Sequence, residues 1–119
     1  MKKILIADDS MFMRLLIKKM LGNDGITTIE ATNGEEAFRL YVDEKPDFII
    51  LDISMPLRNG LEVLAEIMEH NPLAQVIIFS SMVNHRMEEK VLSLGAKKFV
   101  KKPFQEEDIQ GILHFIWEK

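Results

Sequence analysis

A chain of 119 residues has room for one domain with one substantial core and not for two. Hydrophobic residues make up 47% and charged residues 29%, an ordinary globular composition; the net charge of -4, with lysines and acids interspersed, argues against nucleic acid as a direct partner, because neutralising phosphates needs a basic face. The absence of cysteine removes disulfides, thiolate metal sites and cysteine nucleophiles together, and no apolar run approaches the roughly 20 residues that span a bilayer. Met1-Lys2-Lys3 opens onto too short an apolar stretch for a signal peptide, so the expected setting is the cytoplasm, away from membranes.

Ile4 to Ala7 is a continuous apolar run, read as a strand, that leads straight into Asp8-Asp9. Met13, Leu16, Ile17 and Met20 follow at helical spacing, and Gly22 stands where a helix C-cap belongs. A weaker strand, Ile26 to Ile29, precedes Asn33 and Glu36, which are spaced as a capping box for a helix carrying Ala37, Leu40 and Tyr41. Phe48 to Leu51 is the third strand, and Asp52 ends it. Leu61, Leu64, Ile67 and Met68 form the next helical face, and Val76 to Phe79 a fourth strand ending in Ser80-Ser81. Met87, Val91 and Leu94 mark a helix closed by Gly95, and Lys98 to Val100 is a short fifth strand ending at Lys101-Lys102-Pro103. Ile109, Ile112, Leu113 and Ile116 then fall at i, i+3, i+4 and i+7, a core-facing stripe. The strands are continuous rather than alternating in hydrophobicity, as strands buried on both faces are. Five βα units in succession imply right-handed crossovers and an α/β fold: a doubly wound, flavodoxin-like (βα)5 parallel sheet of order 2-1-3-4-5, with residues 1–119 as a single domain.

In such a sheet functional groups gather outside the carboxyl ends of the strands, where the strand order reverses. The first strand delivers Asp8 and Asp9 there, and the third delivers Asp52. Three like charges in one pocket are unfavourable unless a cation joins them. A hard divalent ion with oxygen ligands suits a site of few protein ligands plus water and phosphate; Mg2+ is expected, with Mn2+ the alternative. Ser80 brings a hydroxyl donor and Lys102 an ammonium, and carboxylates, hydroxyl and lysine together make a site for a transferring phosphoryl group. A carboxylate can itself be the nucleophile, giving an aspartyl phosphate. Taken singly the residues have plainer explanations: Asp8 and Asp9 as the acidic start of a helix capped by Ser10, Ser80 as a turn residue, Lys102 as a solvated lysine. One acid ending each of two adjacent strands is what capping does not explain.

The segments Ile4-Leu5-Ile6-Ala7-Asp8-Asp9-Ser10 with Arg14, Ala31 to Ala37, Asp47 to Pro56 with Asn59-Gly60, Ser80-Ser81, and Gly95-Ala96 followed by Lys102-Pro103-Phe104, in order and at domain-wide spacing, resemble the receiver domains of response regulators. The resemblance covers the whole chain. It implies that Asp52 is the phosphoryl acceptor, that Asp9, Asp52 and the backbone carbonyl of Ser54 ligate Mg2+, and that Asp8 acts on the metal largely through water. It further implies that Ser80 and Lys102 bind the phosphoryl oxygens, that Phe99 is the switch aromatic, and that the bond between Lys102 and Pro103 is cis. The partners it implies are a sensor histidine kinase, a downstream target protein with a flagellar motor switch among the candidates, and a separate phosphatase. Asp-Ile-Ser-Met-Pro after the third strand, Phe-Met-Arg in the first helix and Ser80-Ser81-Met82 resemble stand-alone chemotaxis regulators of the CheY type. The domain would be a switch that catalyses its own phosphorylation and dephosphorylation, not an enzyme on other substrates. A phosphorelay intermediate and a receiver excised from a transcription factor remain open. An aspartyl-phosphate phosphatase and a flavodoxin-type carrier fit less well, since Ser54 stands where the phosphatase needs a second acid, and Asp8-Asp9 would repel a cofactor phosphate.

Several positions depart from the commonest family pattern. Ser80 stands for threonine, and Phe99 for a frequent tyrosine. Gln105 is a poor N-cap for the last helix, which Glu106, Glu107 and Asp108 compensate through the helix dipole. Ser54 and Met82 offer no strong acceptor to position an attacking water, so slow loss of the phosphoryl group is expected. His70, His85 and His114 show no ligand spacing, and the eight methionines are read as core filler. Phe115 and Trp117 flank the last apolar stripe and make that face a candidate contact surface.

Overall fold

The computed structural model describes residues 2–22, 24–55, 59–81 and 84–118. Within them the elements alternate without exception: β1 (Lys2–Ala7), α1 (Met11–Leu21), β2 (Ile26–Ala31), α2 (Gly34–Glu44), β3 (Phe48–Asp52), α3 (Gly60–His70), β4 (Val76–Ser80), α4 (His85–Ser93), β5 (Lys98–Lys101) and α5 (Glu106–Glu118). All pairings are parallel and the order is β2-β1-β3-β4-β5, as expected from the sequence. The central strands β3 and β4 are buried at every residue, whereas the edge strands β2 and β5 are only partly covered, which is why their apolar runs are the weaker ones in the sequence.

Side chains alternate between the two faces of the sheet and build two cores. On one face Leu5, Ile49, Leu51, Val76 and Ile78 pack under α2, α3 and α4. On the other, Ile4, Ile6, Phe48, Ile50, Ile77 and Phe79 pack under α1 and α5 through Ile17, Leu21, Ile112 and Ile116. Burying one such aliphatic side chain is worth about 1.5–3 kcal/mol, so this double core can hold charged groups at the strand ends in an arrangement they would not adopt alone.

The helix ends follow the capping logic of the sequence. Ser10, Asn33, Asn59 and Asn84 each accept a hydrogen bond from the backbone N–H three residues on. The Asn33–Glu36 box is displaced by one residue: Asn33 Oδ1 accepts from the Glu36 N–H at 2.8 Å, but Glu36 Oε1 accepts from the Thr32 N–H at 2.7 Å. At α5 the weak cap Gln105 is supported by more than the dipole, because its N–H donates to Asp108 Oδ2 at 2.7 Å. Gly22 caps α1 at φ 78°, and Gly95, at φ 117°, follows α4; a side chain at Gly95 would also meet the Met68 thioether 2.7 Å from its Cβ.

Two readings of α1 and of the methionines need adjustment. The buried residues of α1 are Arg14, Ile17 and Leu21, so the inner stripe is centred on an arginine, with Met13 and Leu16 at its margin. Met55 is core, but Met11 and its neighbour Phe12 are 66% and 71% exposed. Phe115 is partly buried, its ring edge-on to Phe48 at 5.6 Å, while Trp117 remains half exposed.

Candidate functional site

Parallel pairing in register carries four strand ends to one rim. Ala7 pairs with Leu51, Asp52 with Phe79, and Ser80 with Lys101, so Asp8, Asp52, Ser80 and Lys102 emerge side by side. Asp8 is 2% exposed, Asp52 6% and Ser80 1%, whereas Asp9, one residue further from the strand, is open to solvent. One carboxylate oxygen from each of Asp8, Asp9 and Asp52 lies within 4.8 Å of the others.

Lys102 reaches into this group. Its Nζ donates to Asp8 Oδ2 at 2.7 Å and stands 3.3 Å from Asp52 Oδ1. Its own N–H donates to the Ser80 carbonyl at 2.8 Å, and the peptide to Pro103 is cis. Asp8 Oδ1 also accepts from the Ser10 N–H at 2.9 Å, and Asp52 Oδ1 from the Ser54 N–H at 3.4 Å. Among the described residues, three carboxylates thus face one ammonium. Burial is the main reason that the Asp52 carboxyl is held above the usual aspartate range, and the Asp8 charge adds to it, while Lys102 and the Ser54 N–H pull the other way. The remaining negative charge and hard oxygen donors fit a divalent cation such as Mg2+.

The structure brings together Asp8, Asp9, Asp52 and Lys102 of the residues expected from the sequence, with Ser80 buried at the adjoining strand end. Ser54 lies two residues after Asp52, beyond the end of β3, and is exposed. Phe99 is not at the carboxylates; it pairs with Ile78 in β5 and packs partly buried against the core under α4. Met82 and Pro56 lie outside the described residues.

Two supporting residues were missed by sequence reasoning as structural parts of the site. Arg14, noted only as part of a motif, donates from Nη1 to the Asp8 carbonyl at 2.7 Å and from Nε to Glu30 Oε1 at 2.9 Å; its position on the inner face of α1 was the available signal. Gly60 brings α3 against the back of β3: its N–H donates to the Ile53 carbonyl at 2.7 Å, and a Cβ there would stand 2.5 Å from the Asp52 carbonyl oxygen. No spacing rule announces such a close approach.

Comparison with known proteins agrees with this geometry. The profile of the response regulator receiver domain matches residues 4–114. The chemotaxis protein CheY of Listeria monocytogenes is 46% identical over 106 residues, covering 88% of this chain and 89% of the relative. The CheY of Thermotoga maritima is 42% identical over 105 residues, covering 87% and 88%. Among solved structures, one from the CheX-CheY-BeF3-Mg2+ complex of Borrelia burgdorferi superposes with a TM-score of 0.91 at 30% identity, over 99% of this chain and 90% of that one. With its double-faced parallel sheet and its acidic rim closed by a lysine, the chain belongs to the response regulator receiver domains and is a CheY-like member of two-component signalling.

Proposed function

We propose that Asp52 is the phosphoryl acceptor of this receiver and that its modification switches the binding of protein partners, in chemotaxis. The observation that carries the reading is the meeting of three carboxylates with the Lys102 ammonium, 2.7 Å from Asp8 and 3.3 Å from Asp52. Attack by an Asp52 oxygen on a phosphohistidine breaks the N–P bond of the kinase and forms an acyl phosphate; the histidine leaves with the electron pair and takes up a proton. Asp9, Asp52 and the Ser54 carbonyl would hold Mg2+, or Mn2+, with Asp8 acting largely through water, and the ion supplies positive charge against the phosphoryl oxygens when bound. Lys102 moves its pairing from the carboxylates to the phosphoryl group, and Ser80 donates its hydroxyl to the same group. Both sit at strand ends, Ser80 on β4 and Lys102 beyond β5, so their movement biases the loop after β4 and Phe99 between two arrangements.

The domain catalyses its own phosphorylation and, slowly, its own dephosphorylation, because the short Ser54 hydroxyl is a weak acceptor for positioning water. A separate phosphatase would then reset it, with a histidine kinase upstream and a target such as a flagellar motor switch downstream, all in the cytoplasm. The CheY relatives support the chemotactic setting, and the Borrelia neighbour, seen with CheX, BeF3 and Mg2+, supports both the metal and an accessory partner.

Incubation with acetyl phosphate and Mg2+ should give a hydroxylamine-sensitive modification on Asp52, and Asp52→Asn should fold and take no label. Undiminished labelling of that variant, or labelling independent of divalent ions, would refute the assignment.

A further inference from the structure

Arg14 is a nearly buried guanidinium that the phosphoryl chemistry does not itself use. Its Nε is tied to Glu30 Oε1 at 2.9 Å, and Glu30 Oε2 is tied in turn to Lys18 Nζ at 3.1 Å, so the arginine is anchored on β2. Its Nη1 donates to the main-chain carbonyl of Asp8 at 2.7 Å. That carbonyl lies past the last registered pair of the two strands, Ala7 with Ala31. A charged donor makes the stronger kind of hydrogen bond, and here it fixes the plane of the peptide between Asp8 and Asp9. The following peptide, between Asp9 and Ser10, is fixed as well, since the Ser10 N–H donates to Asp8 Oδ1 at 2.9 Å. Both peptide planes that flank Asp9 are therefore pinned. Asp9 is the exposed member of the carboxylate group, and its direction is set by that main chain.

We propose that Arg14 is a positioning residue for the divalent-cation site: by pinning the Asp8–Asp9 peptide it fixes where Asp9 presents its carboxylate beside Asp52. The inference rests on the proposed function for the identity of the cation. Its sign separates it from simple electrostatics, because removing a cation near three carboxylates would by Coulomb's law tighten Mg2+ binding, whereas losing the pin weakens it.

The test is the Mg2+ dissociation constant of the unphosphorylated chain, measured by calorimetric titration alongside the Mg2+ dependence of acetyl phosphate labelling. Arg14→Met should raise the dissociation constant by about 10-fold or more, the range seen when outer partners of metal ligands are removed, with the labelling rate at saturating Mg2+ near that of the wild type. Glu30→Gln, which leaves the guanidinium but loosens its anchor, should shift affinity the same way by less. Unchanged or tighter Mg2+ binding in folded Arg14→Met overturns the proposal. Should that variant not fold, unchanged affinity in Glu30→Gln overturns it. A wild type that binds Mg2+ but takes no label on Asp52 would defeat the proposed function alone, and a wild type with no affinity for Mg2+ would defeat both.

Discussion

Two charged clusters share Asp8, whose carboxylate belongs to one and whose main-chain carbonyl belongs to the other. In the first, Asp8, Asp9 and Asp52 meet the ammonium of Lys102. In the second, the single carboxylate of Glu30 is divided between two cations, Arg14 and Lys18. The chemical consequence is opposite in sign. Burial holds the Asp52 carboxyl above its usual range, whereas the hydrogen bond from Arg14 holds that of Glu30 below its own. The satisfied cluster behaves as framework. The unsatisfied one retains negative charge that only an added cation relieves, and a site that binds and releases an ion needs that imbalance.

The largest way to break the contrast is to remove Lys102, the cation that meets the acidic cluster among the described residues. Lys102→Met deletes the charge proposed to meet the phosphoryl oxygens, and the labelling rate at saturating Mg2+ should fall about 10²- to 10³-fold, as for loss of one donor to a developing oxyanion. A change smaller than threefold would mean that Lys102 serves the resting carboxylates and nothing else. Removing an acid should do the reverse to the metal-free fold. Asp9→Ala relieves repulsion at an exposed position and should gain about 0.5 kcal/mol without divalent ions. It should also lose the stabilisation by Mg2+, which for the wild type amounts to about 2.7 kcal/mol at 100 times the dissociation constant. Urea melts with and without Mg2+ read both effects, and equal Mg2+ stabilisation in the two proteins would return Asp9 to the role of helix start.

The frame that carries Asp52 can be broken without touching any charge. Gly60→Ala drives a methyl into the Asp52–Ile53 backbone, where the nearest atoms stand at 2.5 Å and are main chain that cannot rotate away. Overpacking of this kind costs about 1–3 kcal/mol. Gly111→Ala, in the open middle of α5, meets nothing within 4 Å and should stabilise by up to about 1 kcal/mol. Denaturation of the two variants side by side separates a glycine required by close approach from one that is merely tolerated.

The difference in what the sequence disclosed follows the same division. Strand ends were legible because β1, β3 and β4 are buried on both faces, so their apolar runs stop where the chain reaches the rim, and the residues after the stop are the site. Asp8, Asp52 and Ser80 were readable for that reason, whereas Lys102 was read from the Lys101-Lys102-Pro103 that ends the short fifth run. The edge strands were less visible because partial exposure breaks their apolar runs, and both extend beyond the expected limits, β2 to Ala31 and β5 to Lys101. Arg14 and Gly60 were illegible as supports because their roles lie in distances to backbone atoms of other elements: a carbonyl at 2.7 Å in one case, a peptide at 2.5 Å in the other. Helical period places Arg14 on the inner face of α1 but does not disclose the carbonyl it meets, and it says nothing of Gly60.

The smallest effect, and the one that tests the contrast most directly, is the pH dependence of stability without divalent ions. For Glu30 the folded carboxyl is the stronger acid, so the unfolded chain binds more protons around its titration; the stabilising contribution is present above the ordinary glutamate range and is lost as pH falls through the lowered folded value. For Asp52 the folded carboxyl is the weaker acid, and the sign reverses: ionisation opposes folding, so stability declines as pH rises from about 4, the ordinary aspartate value, through the raised folded value. Glu30→Gln should therefore be less stable than the wild type at pH 7, with the gap closing toward acid. Asp52→Asn should be at least as stable as the wild type at pH 7, with its advantage shrinking toward pH 4. Thermal melts of the three proteins across that range, in chelator, give two difference curves of opposite slope. Parallel curves would show that both acids are equally well compensated and that the acidic rim carries no imbalance for a cation to relieve.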